Sequence, residues 1–393
     1  MDQRQRLASV SIYFFAGDFT DVLRRYGDGR PQAYGTHDEV ARLVHDLRAA
    51  GIEVTITSLC TRSRQVERPM EGVIVRSLGA ANYADDGMLA GAVQEDRAEA
   101  LIAHFPNLKL LRAVARQGKP AAAFLATSFY RTGVRSWLRT RRTVAALNDP
   151  QFDFVSNHCR PATEHLADLG VRRSALIPWD VPHPYSPADS TPKQAAPEGE
   201  IKVFYAGSIS EEKGVADVVR AVGHLKDRDR YTFEFAGNGQ IEQMQGLARS
   251  QGVEANVKFL GSIPNPQVFE RFKSADLLIV PSRWEFQEGF PLTMFEAIAS
   301  HTQIVCSDHP IFARVLTDGE NAGLFRAGDP RSCAAAIDKI VADPGLYLRL
   351  SREAEASWAK LQGPADWRRL IVEWATKGPE SLWIQERRLA PKV

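Results

Sequence analysis

The chain has 393 residues, of which 44% are hydrophobic and 25% are charged, and its formal net charge is +1. The composition is typical of a soluble globular protein, and the length exceeds what one ordinary core accommodates, so we expect two domains. The near balance of basic and acidic residues argues against a nucleic-acid-binding protein that relies on a basic surface. We therefore expect no nucleic-acid partner.

The cysteines of the chain are Cys60, Cys159, Cys306 and Cys333, and none is paired at a spacing typical of metal ligands. We expect reduced thiols, a cytoplasmic protein and no resident metal. The N-terminal apolar run is too short and too interrupted for a signal or membrane segment, and no apolar stretch is long enough to span a bilayer. We interpret the N-terminal run as the first β-strand.

Strands and helices alternate along most of the sequence. Apolar runs predict strands at 9–15, 52–59, 72–78, 100–105, 121–127, 153–157, 174–178, 201–207, 231–237, 257–261, 276–282, 302–308 and 322–325. Residues at helical spacing separate several of them, as in the stripes that run from Val40 to Leu47 and from Val215 to Leu225. Near-continuous apolar strands are typical of parallel sheets with helices on both faces. We therefore predict an α/β protein with two doubly wound domains.

A proline-rich segment marks the boundary between these domains. Residues 182–200 contain five prolines and have the clearest linker composition in the chain. We assign residues 1–190 to a first domain and 200–365 to a second, and we expect the helical segment 366–393 to pack back on the first. Because ligands bind at the carboxyl ends of strands in open parallel sheets, functional residues are expected in the loops that follow strands.

The first such loop is in "FYAGSISEEKGVADVV", residues 204–219, where a strand leads to a helix expected to begin near Glu211. Gly207 permits a close backbone approach, the N–H groups of a helix start favour an anion, and Lys213 adds a positive charge. Taken alone, the loop favours an ordinary turn with a solvated lysine. Neither G-x-x-x-x-G-K-[ST] nor G-x-G-x-x-G is present, which argues against a P-loop and against a dinucleotide-dependent oxidoreductase.

The second loop, in "WEFQEGFPLTMFEAIAS" (residues 284–300), carries two carboxylates after a buried strand. Glu288 lies in the loop, whereas Glu296 lies one turn into an otherwise apolar helix, on the face of Leu292. A carboxylate is rarely buried without a partner, and as an acceptor-only group it can bind two sugar hydroxyls. A salt-bridged surface residue at 296 and a loop charge at 288 explain either residue when it is taken alone.

A turn shaped by Gly289 and Pro291 separates the two carboxylates. The N–H groups of Phe290, Leu292 and Thr293 lie at the start of the helix, where they can point at an oxyanion. Two carboxylates beside one turn, in the domain that also contains the lysine loop, favour a binding site over two isolated surface charges.

The two loops resemble the donor-site motifs of one protein family. "GSISEEKG" (207–214) and "EGFPLTMFEA" (288–297) are similar to the motifs of family 4 retaining glycosyltransferases, or group 1 glycosyltransferases, with the GT-B architecture. The resemblance extends over nearly the whole chain and is more specific in the second half. It implies two Rossmann-like domains that face each other across a cleft, the first for the acceptor and the second for a nucleoside-diphosphate sugar.

The resemblance also implies roles for individual residues. The lysine that matches Lys213 binds the donor diphosphate, the glutamate that matches Glu288 contacts hydroxyls of the donor sugar, and the glutamate that matches Glu296 holds the ribose. Lys213 and Glu288 are thus the implied catalytic residues. The implied donor site consists of Gly207, Ser208, Lys213, Arg283, Glu288, Gly289, Phe290, Pro291, Leu292, Thr293 and Glu296.

Two departures from the family pattern affect these expectations. Family members usually carry an arginine after the glycine of the first motif, whereas this chain has Ser208, so one phosphate cation is absent and Arg283 is the nearby candidate to replace it. Many relatives have a histidine where this chain has residues 126–128. We therefore expect an unusual acceptor side, or one that uses His37 or His104.

The stretch "AYGTHDEVARLVHDL", residues 33–47, supplies further acceptor-side candidates. Thr36 and Glu39 fit a capping box, so we expect Thr36 to cap a helix, and Gly35 permits a close backbone approach. For His37, a position facing the cleft and an ordinary helical position are about equally supported. The acceptor-side candidates are Gly35, Thr36, His37, Thr127 and Ser128.

A basic stretch, "RTGVRSWLRTRR" at residues 131–142, carries five arginines and no acid, with Trp137 and Leu138 between them. Basic amphipathic segments of this kind lie on anionic lipid headgroups, where each basic residue adds at most roughly 1 kcal/mol. A phosphorylated acceptor and a solvated basic loop explain the stretch equally well.

These observations predict transfer of a hexose from a nucleoside-diphosphate sugar to a hydroxyl of a glycan or lipid-linked acceptor, in the synthesis of a surface polysaccharide or glycolipid. No cofactor is expected, and retention at the anomeric carbon is implied by the resemblance alone. The protein would act in the cytoplasm, at the inner face of the cell membrane. The alternatives are a sugar-nucleotide-binding protein without catalysis, which Ser208 suggests, and a GT-B epimerase or hydrolase of sugar nucleotides.

Overall fold

The computed structural model describes residues 6–30, 32, 35–80, 86–130 and 133–391, apart from the side chains of residues 35, 36 and 265. The chain divides into two compact units, Met1–Pro182 with Gly363–Val393, and His183–Gln362. The strands in the described ranges are β1 (Ser9–Ala16), β2 (Glu53–Cys60), β3 (Arg64–Met70), β4 (Val73–Leu78), β5 (Ala100–Ala103), β6 (Ala121–Leu125), β7 (Phe152–His158), β8 (Leu176–Asp180), β9 (Ile201–Ala206), β10 (Tyr231–Ala236), β11 (Val257–Gly261), β12 (Leu277–Val280), β13 (Gln303–Ser307), β14 (Gly323–Phe325) and β15 (Ala365–Asp366). The helices there are α1 (Phe19–Gly27), α2 (Gly35–Ala49), α3 (Gly87–Gln94), α4 (Leu108–Arg116), α5 (Val134–Leu147), α6 (Arg160–Asp168), α7 (Val215–Val222), α8 (Ile241–Ser250), α9 (Asn265–Ser274), α10 (Leu292–Ala299), α11 (Pro330–Ala342), α12 (Pro344–Arg352), α13 (Ala354–Leu361), α14 (Trp367–Lys377) and α15 (Leu382–Gln385).

The first unit is built on a nine-stranded sheet with the order β15-β8-β7-β6-β5-β1-β2-β4-β3. Its strands pair in parallel except for β3, which is antiparallel to β4. The chain adds strands on one side of β1 up to β4 and then continues on the other side from β5. The carboxyl ends of β1 and β5 therefore border the topological switch point of this sheet.

Each of the strands predicted from apolar runs is present, but the sequence did not predict β3 or β15. β3 is an edge strand with the sequence RQVERPM, and most of its residues are exposed or half-buried. Edge strands commonly carry charges and proline, so they lack the apolar signal of a central strand. β15 has only two residues, which is too short for any pattern.

The core of the first unit combines α2 with the C-terminal helix α14. The predicted stripe of α2 and the apolar residues of α14 all belong to one buried cluster: Val40, Leu43, Val44, Leu47, Trp367, Leu370, Ile371 and Trp374. α2 begins at Gly35, so the predicted cap position of Thr36 is wrong and this residue lies in the first turn. The Thr36 side chain itself lies outside the described part of the structure.

The second unit is built on a six-stranded parallel sheet with the order β11-β10-β9-β12-β13-β14. Counted within the unit, this is the 3-2-1-4-5-6 order of the Rossmann fold, whose ligands bind where the order reverses. The switch point lies between β9 and β12. The helix expected near Glu211 instead begins at Val215, because Gly214 adopts a left-handed conformation (φ 74°) that holds the preceding residues in a turn.

The proline-rich segment 183–200 is fixed to the second unit. The Tyr185 ring stacks on Phe269 at a centroid distance of 3.7 Å, and His183 stacks on Phe295 at 4.3 Å. A ring nitrogen of His301 lies 3.0 Å from the Pro187 carbonyl oxygen. The segment thus has the composition of a linker but the contacts of an ordered part of the unit.

Candidate functional site

The loops that follow β9 and β12 meet at the switch point of the second sheet. Lys213 lies in the first loop and Glu288 in the second, and Lys213 Nζ is 2.5 Å from Glu288 Oε1. Only 16% of the Lys213 side chain and 6% of the Glu288 side chain are exposed. The structure therefore brings together, as a shielded ion pair, the two residues that the sequence analysis assigns to catalysis.

Glu288 is held by two groups at one oxygen. Ser282 Oγ also donates to Oε1, at 2.5 Å. Neither contact uses Oε2, and the described residues provide no other partner for that oxygen. Because an ionised carboxylate accepts through both oxygens, Oε2 is available to a hydroxyl group of a ligand.

Lys213 also retains donor capacity. Its ammonium group lies 4.2 Å from the centroid of the Phe286 ring, and Glu288 is its one acceptor among the described residues. An ammonium group has three N–H donors, so pairing with Glu288 leaves two for another acceptor. Lys213 can therefore donate to a phosphate oxygen without leaving its carboxylate partner.

Glu296 lies one turn into α10, which starts four residues after Glu288. Burial raises the pKa of Glu296 to about 7. Its carboxylate has no hydrogen-bond or ion-pair partner in the described ranges, and its neighbours in α10 are apolar. A half-buried carboxylate without a partner is costly, and hydrogen bonds from ligand hydroxyl groups would satisfy it.

The turn before α10 supplies unpaired backbone donors. No acceptor is found for the N–H groups of Phe290, Leu292 and Thr293 among the residues that the structure describes. Pro291 is the residue before the first helical one, and α10 has no side-chain cap. The orphan N–H groups of a helix start, with the positive end of the helix dipole, attract negative charge. Gly289 lies in the loop just before them, next to Glu288.

The motif "GSISEEKG" (residues 207–214) provides a glycine that lets the backbone come close to a ligand, but it provides no free cation besides Lys213 among the described residues. Gly207 has a φ of 154°, and its N–H donates to the Ala236 carbonyl. Ser208 is exposed, and its carbonyl accepts a 2.6 Å hydrogen bond from the Tyr205 hydroxyl. Arg283, the candidate to replace the missing arginine, is instead bound through Nε and Nη2 to Asp217, at 2.8 Å each. Most of its charge is therefore offset within the protein.

The acceptor-side candidates lie in the first unit and do not form a charged cluster. Burial lowers the pKa of His37, whose ring centroid is 6.0 Å from that of Phe19. Thr127 is buried, and its backbone exchanges hydrogen bonds with the Asn157 side chain. Ser128 is fully buried, and its Oγ has no partner among the described residues. Gly35 and Thr36 are described only as the first residues of α2.

Two further residues of the donor region, Asp217 and Ser282, were not predicted from the sequence. Asp217 is 2% exposed in the first turn of α7, within the apolar stripe "VADVV". An acidic residue inside an apolar helical run is the signal that identified Glu296, and it applies equally to Asp217. Ser282 had no comparable signal, because its role depends on the loop that brings Glu288 back to the end of β12. Within the described ranges, no three His, Cys, Asp or Glu side chains are grouped so that they could hold a metal ion.

Sequence comparison agrees with this arrangement. Residues 188–357, which include both loops, match the model of a protein family described as glycosyl transferases group 1. The lipopolysaccharide core biosynthesis mannosyltransferase LpcC of Rhizobium leguminosarum bv. viciae is 28% identical over 173 residues, which is 42% of this chain and 48% of LpcC. The chain thus spans about half the length of this curated relative.

Solved structures extend the likeness to the fold of both units. Sucrose-phosphate synthase from Thermosynechococcus elongatus superposes with a TM-score of 0.66 at 17% identity, covering 94% of this chain and 97% of that one. Anabaena Alr3699/HepE, solved in complex with UDP-glucose, gives a TM-score of 0.61 at 16% identity, with 95% and 100% coverage. The predicted GT-B fold is confirmed.

Proposed function

We propose that this chain, which belongs to the group 1 glycosyltransferases, transfers a hexose from a nucleoside-diphosphate sugar to a hydroxyl group of a glycan or lipid-linked acceptor, with retention at the anomeric carbon. The observation that carries the proposal is the Lys213–Glu288 pair at the switch point of the second sheet. The carboxylate of Glu296 on the following helix supports it, because it has no partner among the described residues and burial raises its pKa.

Each group of the site has a task in this reaction. Departure of the diphosphate develops negative charge on its oxygens, and Lys213 Nζ with the N–H groups of Phe290, Leu292 and Thr293 would stabilise that charge. Preorganised donors of this kind are usually the largest catalytic contribution. Glu288 Oε2 would accept from a sugar hydroxyl, and its negative charge would favour the oxocarbenium character of the transition state. Glu296 would accept from the ribose hydroxyls.

The reaction balances without a side-chain base. The bond between the anomeric carbon and the diphosphate oxygen breaks, the acceptor oxygen bonds to the same carbon, and a leaving phosphate oxygen takes the acceptor's proton. The diphosphate leaves with the electron pair of the broken bond. The proposal therefore needs only the donor and the acceptor, and no cofactor.

The donor can be tested before the acceptor is known. UDP-glucose is the first ligand to try, because it is the ligand in the Anabaena Alr3699/HepE complex. A ligand at about 100 times its dissociation constant adds roughly 2.7 kcal/mol to the folded state, which a thermal-shift screen detects readily. We expect a nucleoside-diphosphate hexose to raise the melting temperature of the wild type, and to raise that of Glu296→Gln less. No shift with any nucleoside-diphosphate sugar would overturn the donor assignment.

Product analysis then separates transfer from its alternatives. A transferase releases nucleoside diphosphate in proportion to glycosylated acceptor, whereas a hydrolase releases it with free sugar when no acceptor is present. An epimerase changes the sugar of the nucleotide, and a binding protein releases nothing. Two features favour a binding protein as the second candidate function. Residue 208 is a serine instead of an arginine, and Arg283 is bound to Asp217, so less positive charge is available to the diphosphate.

We also propose that α5 of the first unit rests on an anionic membrane surface, where a lipid-linked acceptor would be found. Val134, Trp137 and Leu138 are exposed by 73%, 53% and 42%, and they lie along one stripe of this helix. Arg135, Arg139 and Arg142, at helical spacing, form the neighbouring stripe. An exposed apolar stripe beside a basic one is the pattern of an interfacial helix.

The charge of the exposed face of α5 indicates which partner it binds. α5 contains no acidic residue, and its side chains pack inward at Thr143 and Leu147. An anionic bilayer offers negative headgroups to the arginines and an apolar boundary to Trp137, whereas a phosphorylated soluble acceptor would satisfy the arginines alone. No described helix has the length and the apolar character that crossing a membrane requires.

Vesicle co-sedimentation tests the membrane proposal. We expect the wild type to bind vesicles with about 30% phosphatidylglycerol at least tenfold more tightly than phosphatidylcholine vesicles. Either Trp137→Ser or the triple substitution of Arg135, Arg139 and Arg142 by Gln should remove most of that binding. Leu382→Ser is the matched control, because Leu382 is 80% exposed in the same unit but lies outside α5. Equal binding to both vesicles, or equal losses in the control, would contradict the proposal.

A further inference from the structure

An ion pair between the half-buried Arg283 and the buried Asp217 lies beside the candidate donor site, and 28% of the Arg283 side chain is exposed. Arg283 Nε and Nη2 donate to the two carboxylate oxygens of Asp217, each at 2.8 Å, and the Asp217 side chain is 2% exposed. Arg220 Nη1 is 3.4 Å from the same carboxylate, and its side chain is 40% exposed. Two parallel hydrogen bonds fix the plane of a guanidinium group as well as its distance. A pair of this kind therefore defines a geometry rather than only adding attraction.

The backbone of Arg283 also joins the loop that contains Lys213 to the loop that contains Glu288. The Arg283 N–H donates to the Glu212 carbonyl at 3.0 Å, and Glu212 directly precedes Lys213. Nearby, a Cβ atom at Gly214 would lie 2.0 Å from the Pro281 carbonyl oxygen, so only glycine permits this approach. The left-handed φ of 74° at Gly214 imposes the same restriction. The lysine loop and the glutamate loop are thus in direct contact on both sides of Lys213, at Glu212 and at Gly214.

The position of the ion pair relates it to Lys213 and Glu288. Asp217 lies four residues after Lys213, in the first turn of α7, and Arg283 is next to Ser282, whose hydroxyl donates to Glu288. Each partner of the Asp217–Arg283 pair is therefore joined by a short, ordered segment to one partner of the Lys213–Glu288 pair. A change in the separation of Asp217 and Arg283 would be transmitted to the 2.5 Å contact between Lys213 and Glu288.

We infer that Asp217 and Arg283 are positioning residues, which set the geometry of Lys213 and Glu288 without contacting the donor. The catalytic part of this inference rests on the proposed function, whereas the geometric part does not. It also explains why Arg283 does not replace the cation absent at Ser208. Its guanidinium fork is used by Asp217, and its remaining nitrogen, Nη1, lies 3.6 Å from Glu211.

A purely stabilising ion pair is the competing explanation, and it makes different predictions. Burying two charges costs nearly as much as their attraction returns, so replacing both partners by neutral groups is often neutral for stability, whereas removing one is strongly destabilising. If the pair only stabilised the fold, the double variant Asp217→Asn/Arg283→Gln would regain normal stability and normal activity. If the pair positions Lys213, the double variant would fold well and still be impaired.

The reactivity of Lys213 is the first test, and it requires no enzymatic activity. We would treat the folded protein with a limiting amount of an amine-reactive acetylating reagent. Mass spectrometry would then give the rate of acetylation at Lys213 relative to that at the exposed Lys226. We expect Arg283→Lys and the double variant to raise the relative rate at least fivefold, because Lys213 loses its fixed contact with Glu288. Arg220→Gln is the control and should leave the rate unchanged. A rate within twofold of the wild type in all variants would overturn the inference.

Kinetics with the donor form the second test. We expect a 10- to 100-fold loss of kcat/KM in the double variant at a melting temperature close to that of the wild type, with most of the loss in kcat. Misplacement of a catalytic group by about 1 Å has effects of this size. Normal kinetics in the folded double variant would contradict the inference. If the wild type itself transfers no sugar, the proposed function fails, and the Lys213 reactivity still decides the positioning role.

Discussion

The two switch points of this protein are lined by different kinds of side chains. At the second sheet, between β9 and β12, the loops carry Lys213 and Glu288 as a shielded ion pair. At the first sheet, between β1 and β5, the described loop residues include one exposed acid, Asp18, which caps α1, and are otherwise aromatic or neutral. His104 follows β5, and its ring centroid lies 4.6 Å from that of Phe14 and 5.5 Å from that of Trp367. Burial lowers the pKa of His104 to about 4, so the imidazole is neutral at physiological pH.

This difference shows how one topology serves two kinds of ligand. Both sheets direct their strand ends to a loop-lined edge, and the second edge presents a shielded lysine–glutamate pair beside N–H groups that have no acceptor among the described residues. A charged ligand such as a diphosphate is compatible with the second edge, whereas the first suits an uncharged hydroxyl or an apolar group. Substitutions at the two edges should therefore differ in kind, with loss of turnover at one and altered stability at the other.

The largest effect is expected at Lys213. Under the proposed function, Lys213→Met would remove a charge-assisted hydrogen bond to the leaving diphosphate, on the order of 1.5–3 kcal/mol, and it would leave Glu288 buried without its cation. We expect turnover of the donor to fall by about one to two decades. Lys226→Met, at an exposed lysine of the same unit, is the control and should retain full turnover. Unchanged turnover in folded Lys213→Met would remove the contrast between the two edges.

At the first edge, His104 should affect stability rather than turnover. The unfolded chain takes up a proton at the ordinary pKa of 6.5 and the folded protein only near 4, so the unfolded state binds more protons between these values. Stability is therefore lost as the pH falls through this window, by about 2 kcal/mol at pH 5. Urea unfolding at pH 7 and pH 5 measures this loss of stability as a slope with pH, and His104→Phe should remove that slope. His224→Phe, at an exposed histidine, should keep it, and an equal slope in all three proteins would exclude His104 as its source.

A smaller, ligand-dependent effect is expected at Glu296. Its pKa of about 7 means that the free protein loses the ionised form as the pH falls from 8 to 6. Under the proposed function, ribose hydroxyls donate to the ionised form, so affinity for a nucleoside-diphosphate hexose should weaken about tenfold over this range. Glu296→Gln should show a change below twofold in the same titration calorimetry. The free energy of unfolding should change in the opposite direction with pH. Because folding disfavours the ionised carboxylate, the wild type should lose stability relative to Glu296→Gln as the pH rises from 4.5 to 7.

The fold could be predicted from the sequence because apolar runs mark buried parallel strands. Glu296 stands out because a charge is costly within an apolar helix, whereas the roles of Lys213 and Glu288 were implied by the resemblance to the group 1 glycosyltransferases. The pairing of Asp217 with Arg283 could not be predicted in the same way. It joins residues 66 positions apart, and Arg283 alone fits an ordinary surface charge. Only the closed backbone turn at Gly214 brings them together.

A role for Ser128 could not be established from the sequence either, and its assignment to the acceptor side stays a prediction. Ser128 is fully buried, and no described group bonds its Oγ, so the hydroxyl costs free energy unless a ligand satisfies it. Ser128→Ala should raise stability by up to about 1 kcal/mol. Ser156→Ala is the matched control, because Ser156 Oγ donates to the Ile177 carbonyl at 2.7 Å and its loss should reduce stability by a similar amount.

Transfer assays then decide what Ser128 is for. If Ser128→Ala is more stable and transfers sugar at the wild-type rate, the first edge binds its ligand without this hydroxyl. If it is more stable but its KM for the acceptor rises more than fivefold, the unpaired Oγ belongs to the acceptor site. A loss of stability in Ser128→Ala would show that the hydroxyl is satisfied within the folded protein. In that case the first edge would contain no unpaired polar group at residue 128 for an acceptor to use.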